Sequence, residues 1–98
     1  MAKTIIWNRR ASNNFDAIIK YLQEDWGDNV TRDFVIRTYK IIELLTTNPE
    51  MGSVENFEKR IRGVFITKHN TLFYRIEEEK LILLAFFDNR QHPRKKSY

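Results

Sequence analysis

The spacing of apolar residues changes along the chain, and each spacing predicts a different element. Residues 3–7 are short, β-branched and apolar, which reads as a strand ending at Trp7. Ser12, Asn13 and Asn14 then offer side chains that can cap a helix. Phe15, Ile18, Ile19, Leu22 and Trp26 follow at i, i+3, i+4, i+7 and i+11, one stripe of a helix whose other face carries Asp16, Lys20, Gln23, Glu24 and Asp25. The stripe predicts core positions for Trp7 and Trp26. Gly27 stops this helix and Asp28 is placed to cap the next. The second helix is expected over residues 29–48, before Pro49, with Phe34, Thr38, Ile41, Ile42 and Leu45 on one face. So short a break makes an antiparallel helical hairpin, and stripes this wide require a third layer to cover them.

Residues 49–60 read as a loop with Phe57 as a possible apolar anchor. Three strands are expected after it, over residues 62–68, 72–77 and 80–88, joined by tight turns at 69–71 and 78–79. The middle one alternates Leu72, Tyr74 and Ile76 against Phe73, Arg75 and Glu77. The last contains seven consecutive apolar residues, Leu81 to Phe87, so both of its faces are covered and it is central in its sheet. Its free edge is the natural place for the first strand. The order β-α-α-β-β-β defines an α+β domain with a helical hairpin on one face of a four-stranded, mainly antiparallel sheet.

Composition adds a location for charge. The 98 residues make one domain, with 42% hydrophobic, 13% aromatic and 31% charged positions. The absence of cysteine excludes disulfides and thiolate metal sites. Glu77, Glu78 and Glu79 lack a His or Asp at ligand spacing, so no metal and no cofactor is expected. No apolar run is long enough to span a membrane and the N-terminus lacks a signal-peptide pattern, so the expected location is the cytoplasm. Residues 1–88 balance 13 basic against 13 acidic side chains, and the whole excess of +4 lies in residues 89–98, a basic tail with Arg90, Arg94, Lys95 and Lys96. Such a tail suits a polyanion or an acidic partner, or simply solubility.

The element order, with Ile5-Ile6-Trp7 at the start, Asn48-Pro49-Glu50-Met51-Gly52 after the second helix, Phe73-Tyr74-Arg75-Ile76 in the penultimate strand and Asn89-Arg90-Gln91-His92-Pro93 after the last, resembles the RelE/ParE toxins of bacterial type II toxin–antitoxin systems. The likeness covers essentially the whole chain. It implies a growth-inhibiting, plasmid-stabilising toxin neutralised by a cognate antitoxin that wraps it with an acidic or amphipathic segment. RelE-like members cleave mRNA on the ribosome, whereas ParE-like members bind DNA gyrase. The fold is common to both, so target must be argued from the site. A non-catalytic nucleic-acid- or protein-binding adaptor is the alternative on the same fold.

Metal-free RNA cleavage needs a base for the 2′-OH, positive charge at the phosphorane and an acid for the leaving oxygen. The residues of this chain that could supply them are Arg75, Arg90 and His92, with Lys68, His69 and Tyr98 nearby in the pattern. Arg9, Arg10, Lys68, Arg94, Lys95 and Lys96 are the expected nucleic-acid or partner contacts. The nuclease pattern of the resemblance is thinned: Thr71 or Leu72 stands where RelE carries an arginine, and Val64 and Ile66 where it carries a basic pair. Arg75 has a purely structural alternative, pairing with Glu77 or Glu79, and His69 reads equally as a solvated turn residue.

Overall fold

The last strand organises the molecule. The computed structural model describes residues 2–90. In chain order they form β1 (Thr4–Trp7), α1 (Arg9–Trp26), α2 (Asp28–Thr47), a 3-10 turn (Pro49–Met51), β2 (Ser53–Asn56), β3 (Ile61–Thr67), β4 (Asn70–Glu77) and β5 (Lys80–Asp88). The sheet order is β1-β5-β4-β3-β2, with β1 parallel to β5 and every other pairing antiparallel. The expected α+β architecture is therefore present, with β5 inside the sheet and β1 on its free edge. The sheet has five strands rather than four, because Ser53–Asn56 leaves the expected loop and pairs with β3. Its one exposed valine, Val54, gives no alternation from which a strand could be read.

Both helices lie on one face, where Phe15, Phe34, Ile42 and Leu45 pack against Ile66, Leu72, Tyr74, Leu81, Leu83 and Phe86. On the opposite face Ile61, Phe73 and Ala85 form a second, smaller cluster with Leu84 and Phe87. A bulge makes the unbroken apolar run of β5 compatible with two faces. Phe73 pairs with Ala85 and Tyr74 with Leu83, leaving Leu84 as an extra residue. The bulge reverses the parity of side chains, so Leu81, Leu83 and Phe86 all reach the helices while Leu84, Ala85 and Phe87 face away.

Local chemistry fixes the helix ends. Helix α1 starts earlier than expected because Asn8, not Ser12, Asn13 or Asn14, is the cap: its Oδ1 accepts from Ala11 N–H at 2.8 Å. Asn14 has a different task, accepting the Phe86 N–H at 3.0 Å and so tying α1 to β5 at the bulge-side end. Gly27 adopts φ +89, which a residue with a Cβ adopts only under strain, and donates its N–H to Leu22 O. Asp28 opens α2 as its first helical residue instead of capping it. Buried Thr31 and Thr38 return their hydroxyls to Gly27 O and Phe34 O, four residues back, and leave no orphaned polar atom.

Two expected core aromatics fall outside the core. Trp7 stacks on Phe86 and tilts against Phe15, as expected. Trp26, in contrast, is 62% exposed at the end of α1, beyond the reach of the sheet, and Phe57 is 85% exposed and anchors nothing. The anchor of the 49–60 segment is Tyr74. Its ring is buried in the main core, and its hydroxyl donates to Pro49 O at 2.7 Å while accepting from Gly52 N–H at 3.0 Å. Burial pushes this phenol above its ordinary value, so it stays a neutral donor. Gly52 passes so close that a Cβ would lie 2.6 Å from both Gly63 O and the Tyr74 hydroxyl.

Tyr74→Phe leaves a buried N–H and a carbonyl without their partner, and is expected to cost about 1–3 kcal/mol. Urea unfolding should show a lower midpoint with an unchanged m-value. Gly52→Ala should destabilise more than the Tyr74→Phe change, since backbone must move to admit the methyl group.

Candidate functional site

A groove opens where the helical hairpin diverges from the β3–β4 turn, with a cavity of about 1090 Å³. Ile18, Leu22, Val30, Phe34 and Phe86 give it an apolar floor, and Trp26 and Tyr21 wall the hairpin end. Trp26 therefore lines the groove, a position concealed by its place on the apolar stripe of α1. Its Nε1–H lies 3.5 Å from the Tyr21 hydroxyl. Arg37, Lys68, His69 and Arg90 stand around the rim, with Asp33 and Asp88 among them. Apolar below and ringed by mixed charge above, with Arg37, Lys68 and Arg90 against Asp33 and Asp88, the groove has the character of a surface for an amphipathic segment.

The β3–β4 turn consists of Lys68 and His69, one residue earlier than expected, and it is cross-linked to the end of β5. Asn89 donates its backbone N–H to His69 O at 2.7 Å and its side-chain amide to Lys68 O at 3.3 Å, and accepts from the buried Thr71 hydroxyl at 2.7 Å. His69 is thereby half-buried against the groove rather than free in solvent. Asp88 takes three bonds from Arg90: the backbone N–H at 2.9 Å, Nε at 3.1 Å and Nη2 at 2.9 Å. That bidentate clamp, with the charge on Arg90, holds the Asp88 carboxyl below the usual carboxylate range. The same bonds, helped by the Tyr21 hydroxyl, raise the Arg90 guanidinium further above its ordinary value.

The residues expected at a site are only partly gathered. Lys68, His69 and Arg90 meet at the groove. Arg75 does not join them. It pairs with Glu77 at 3.3 Å and donates to Lys59 O at 3.0 Å, at the other end of β4. Since Asn70 is opposite Asp88 and Arg75 is opposite Ile82, the two arginines are separated by on the order of 16 Å of strand. Arg9 and Arg10 are exposed in the first turn of α1, about 18 Å along the helix from Tyr21 and the Arg90 clamp, so these do not form one patch with Arg90. His92, Arg94, Lys95, Lys96 and Tyr98 lie outside the described residues. Among the described residues no group of His, Asp or Glu is arranged to hold a metal, and no helix is long and apolar enough to cross a membrane.

A helical hairpin laid over one face of a β1-β5-β4-β3-β2 sheet, with a groove at the open end, is the fold class of the small toxins to which the sequence pattern pointed. The chain belongs to the ParE toxin family: the model described as the ParE toxin of type II toxin–antitoxin system, parDE, matches residues 5–93. It is the toxin component of such a system, and a cognate antitoxin is its partner. Solved structures agree in fold. A chain of the chromosomal ParDE system from P. aeruginosa superposes with a TM-score of 0.74 at 13% identity, covering 89% of this chain and 96% of that one. The solution structure of HP0894, a conserved hypothetical protein from Helicobacter pylori, gives 0.58 at 23% identity over 90% and 96%. A copper-bound mutant toxin from Helicobacter pylori gives 0.52 at 21% identity over 91% and 97%. A search of curated proteins finds no match.

The clamp predicts a measurable titration. Because the folded Asp88 carboxyl is depressed, its contribution to stability is complete above the unfolded value near 3.8 and disappears as pH falls through the lower folded value. In Arg90→Ala the Asp88 resonance followed by NMR should titrate higher, back toward 3.8.

Proposed function

We propose that this toxin acts by binding, with DNA gyrase as its cytoplasmic target, and that its antitoxin silences it through an acidic amphipathic segment seated in the groove. The separation of Arg75 from Arg90 carries the first half of this reading. General acid–base cleavage requires its groups within hydrogen-bond reach of one reacting phosphate. Here one arginine is tied to Glu77 and Lys59 O, and the other to Asp88, at opposite ends of the sheet. Thr71 and Leu72, at one of which the resemblance places an arginine, are both buried, and Thr71 is bonded to Asn89. What remains exposed is a binding surface.

The groove supports the second half. Its floor offers apolar area to helical anchors spaced i, i+3, i+4 and i+7, and its rim offers charges of the sign needed by an acidic partner. Rim charge mainly speeds encounter, while a large aromatic at the wall contributes to holding the complex. Arg94, Lys95 and Lys96 add to the positive side of this balance as sequence.

Purified gyrase should lose supercoiling activity and accumulate cleaved complexes when the toxin is added, and primer extension on translated mRNA should reveal no new ends. A ribosome-dependent cut removed by Arg75→Ala would overturn the reading. Trp26→Ala should weaken antitoxin binding by at least about tenfold, chiefly through faster dissociation. Lys68→Glu should slow association and flatten its salt dependence.

A further inference from the structure

The charges on the groove rim are not equivalent, because several are already answered within the chain. Arg90 and Asp88 satisfy each other through Nε and Nη2. Arg37 directs Nη1 at Ile66 O, 3.5 Å away, and so covers the carbonyl of a residue that the β3–β4 ladder skips. Asp33 and Lys68 are different. Both are exposed, and their side chains make no hydrogen bond or ion pair among the described residues. One anion and one cation are thus left for a partner to answer.

The topology sets these two on opposite lips of the groove. Arg62, at the start of β3, donates to Glu50 O at 3.2 Å and to Gly52 O at 2.9 Å, in the segment that leaves α2. Arg37, in the first half of α2, reaches Ile66 near the end of β3. Helix α2 therefore runs back over β3 in the opposite direction, and the Arg37–Ile66 bond joins them at the edge of the groove. Asp33 lies one turn beyond that bond, about 6 Å further along the helix. Lys68 lies two residues beyond it on the strand side. Both line the cavity, with Phe34 and Phe86 in the floor.

We propose that Asp33 is a specificity residue of the groove, taking one basic side chain of the antitoxin segment while Lys68 takes an acidic one on the segment's other flank. This role rests on the antitoxin's seating in the groove, and it gives the otherwise acidic segment a sign and a position. The segment carries a lysine or arginine where it faces α2, and an acid where it faces the β3–β4 turn. An apolar stripe alone lies on the floor equally well in either direction. Opposite charges on the two lips remove that freedom. A segment laid the other way keeps its stripe down but exchanges its flanks, which sets acid against Asp33 and base against Lys68. Like charges placed against each other reject a wrong partner more effectively than added contacts favour the right one. Asp33 therefore excludes an antitoxin segment that is acidic on both flanks.

Surface plasmon resonance of full-length toxin variants against the purified cognate antitoxin reads the effect. Asp33→Lys should weaken the complex by at least about tenfold, and Asp33→Asn by less, since the amide removes the attraction without adding a repulsion. Circular dichroism and melting temperature should stay near wild-type values, because the Asp33 side chain is exposed. The lysines and arginines of the antitoxin are then changed to glutamate one at a time. One of these changes should weaken binding to wild-type toxin and restore most of the affinity of Asp33→Lys, a coupling that a merely structural Asp33 does not produce. Binding of Asp33→Lys within about twofold of wild type overturns the proposal. So does a loss that no charge reversal in the antitoxin recovers. Trp26→Ala keeps the two readings apart. If it weakens binding while Asp33→Lys does not, the groove stands and the role of Asp33 falls. If binding is indifferent to Trp26→Ala, the groove itself is not the antitoxin's seat and both fall.

Discussion

Everything in this fold leans on β5, an inner strand whose two faces are both apolar. The strand pairs with β1 along one edge and β4 along the other, while helices cover one face and the Ile61–Phe73–Ala85 cluster lies on the opposite one. A strand apolar on both faces has no polar side to mark its register, which ordinary alternation would supply. The bulge at Leu84 does that work. It changes which parity of residue meets the helices, and Asn14 then bonds the Phe86 N–H just beyond it. Sliding β5 by one residue would break that bond and turn Leu81 and Leu83 out of the core, where each loss of a buried leucine costs about 2–5 kcal/mol. One register is left.

That rigidity passes outward to the groove. Asp88 and Asn89 end the strand, and between them they hold the β3–β4 turn, the Thr71 hydroxyl and Arg90. The β5 side of the groove is thus a paired Asp88–Arg90 beside Lys68, braced by backbone hydrogen bonds. The opposite wall is different. Trp26 and Tyr21 lie near the turn of the hairpin, where Gly27 O takes the Thr31 hydroxyl and the two aromatic rings stand exposed over the groove. On the proposed reading, a partner helix meets a braced polar wall on one side and an exposed aromatic wall on the other, which separates orientation from affinity.

Much of this was legible in the residues. The apolar run of β5 announced a central strand, Gly27 a sharp helical turn, and the order of elements the class of fold. What escaped had a common cause: it depended on a neighbour distant in sequence. Ser53–Asn56 is a strand only because β3 lends it a ladder, and its own pattern is featureless. Trp26 satisfies the helical stripe perfectly well, yet it stands exposed at the groove. Asn8 outcompetes three plausible caps because β1 delivers it in an extended conformation, φ −80 and ψ 169, at the right point. Arg90 lies just past the last strand, and its partner two residues back neutralises it. Asp88 could have been found from the i, i+2 spacing alone.

The self-neutralisation of Arg90 bears on what kind of toxin this can be. A guanidinium that stabilises a transition state must offer unspent donors to charge as it develops. Here Nε and Nη2 are committed to Asp88, and breaking that clamp would expose a carboxylate beside the very phosphate that the arginine was to bind. For catalysis this is a double penalty. For recognition it is an advantage, since a planar Asp88–Arg90 pair fixed in the groove wall presents a defined polar edge without the entropy of a free arginine. The rim can then select a partner by the geometry of its charges while Ile18, Leu22 and Phe34 supply the apolar contact below. A surface that discriminates by charge position and holds by apolar burial is what a toxin needs in order to be found and silenced by its own antitoxin and by no other.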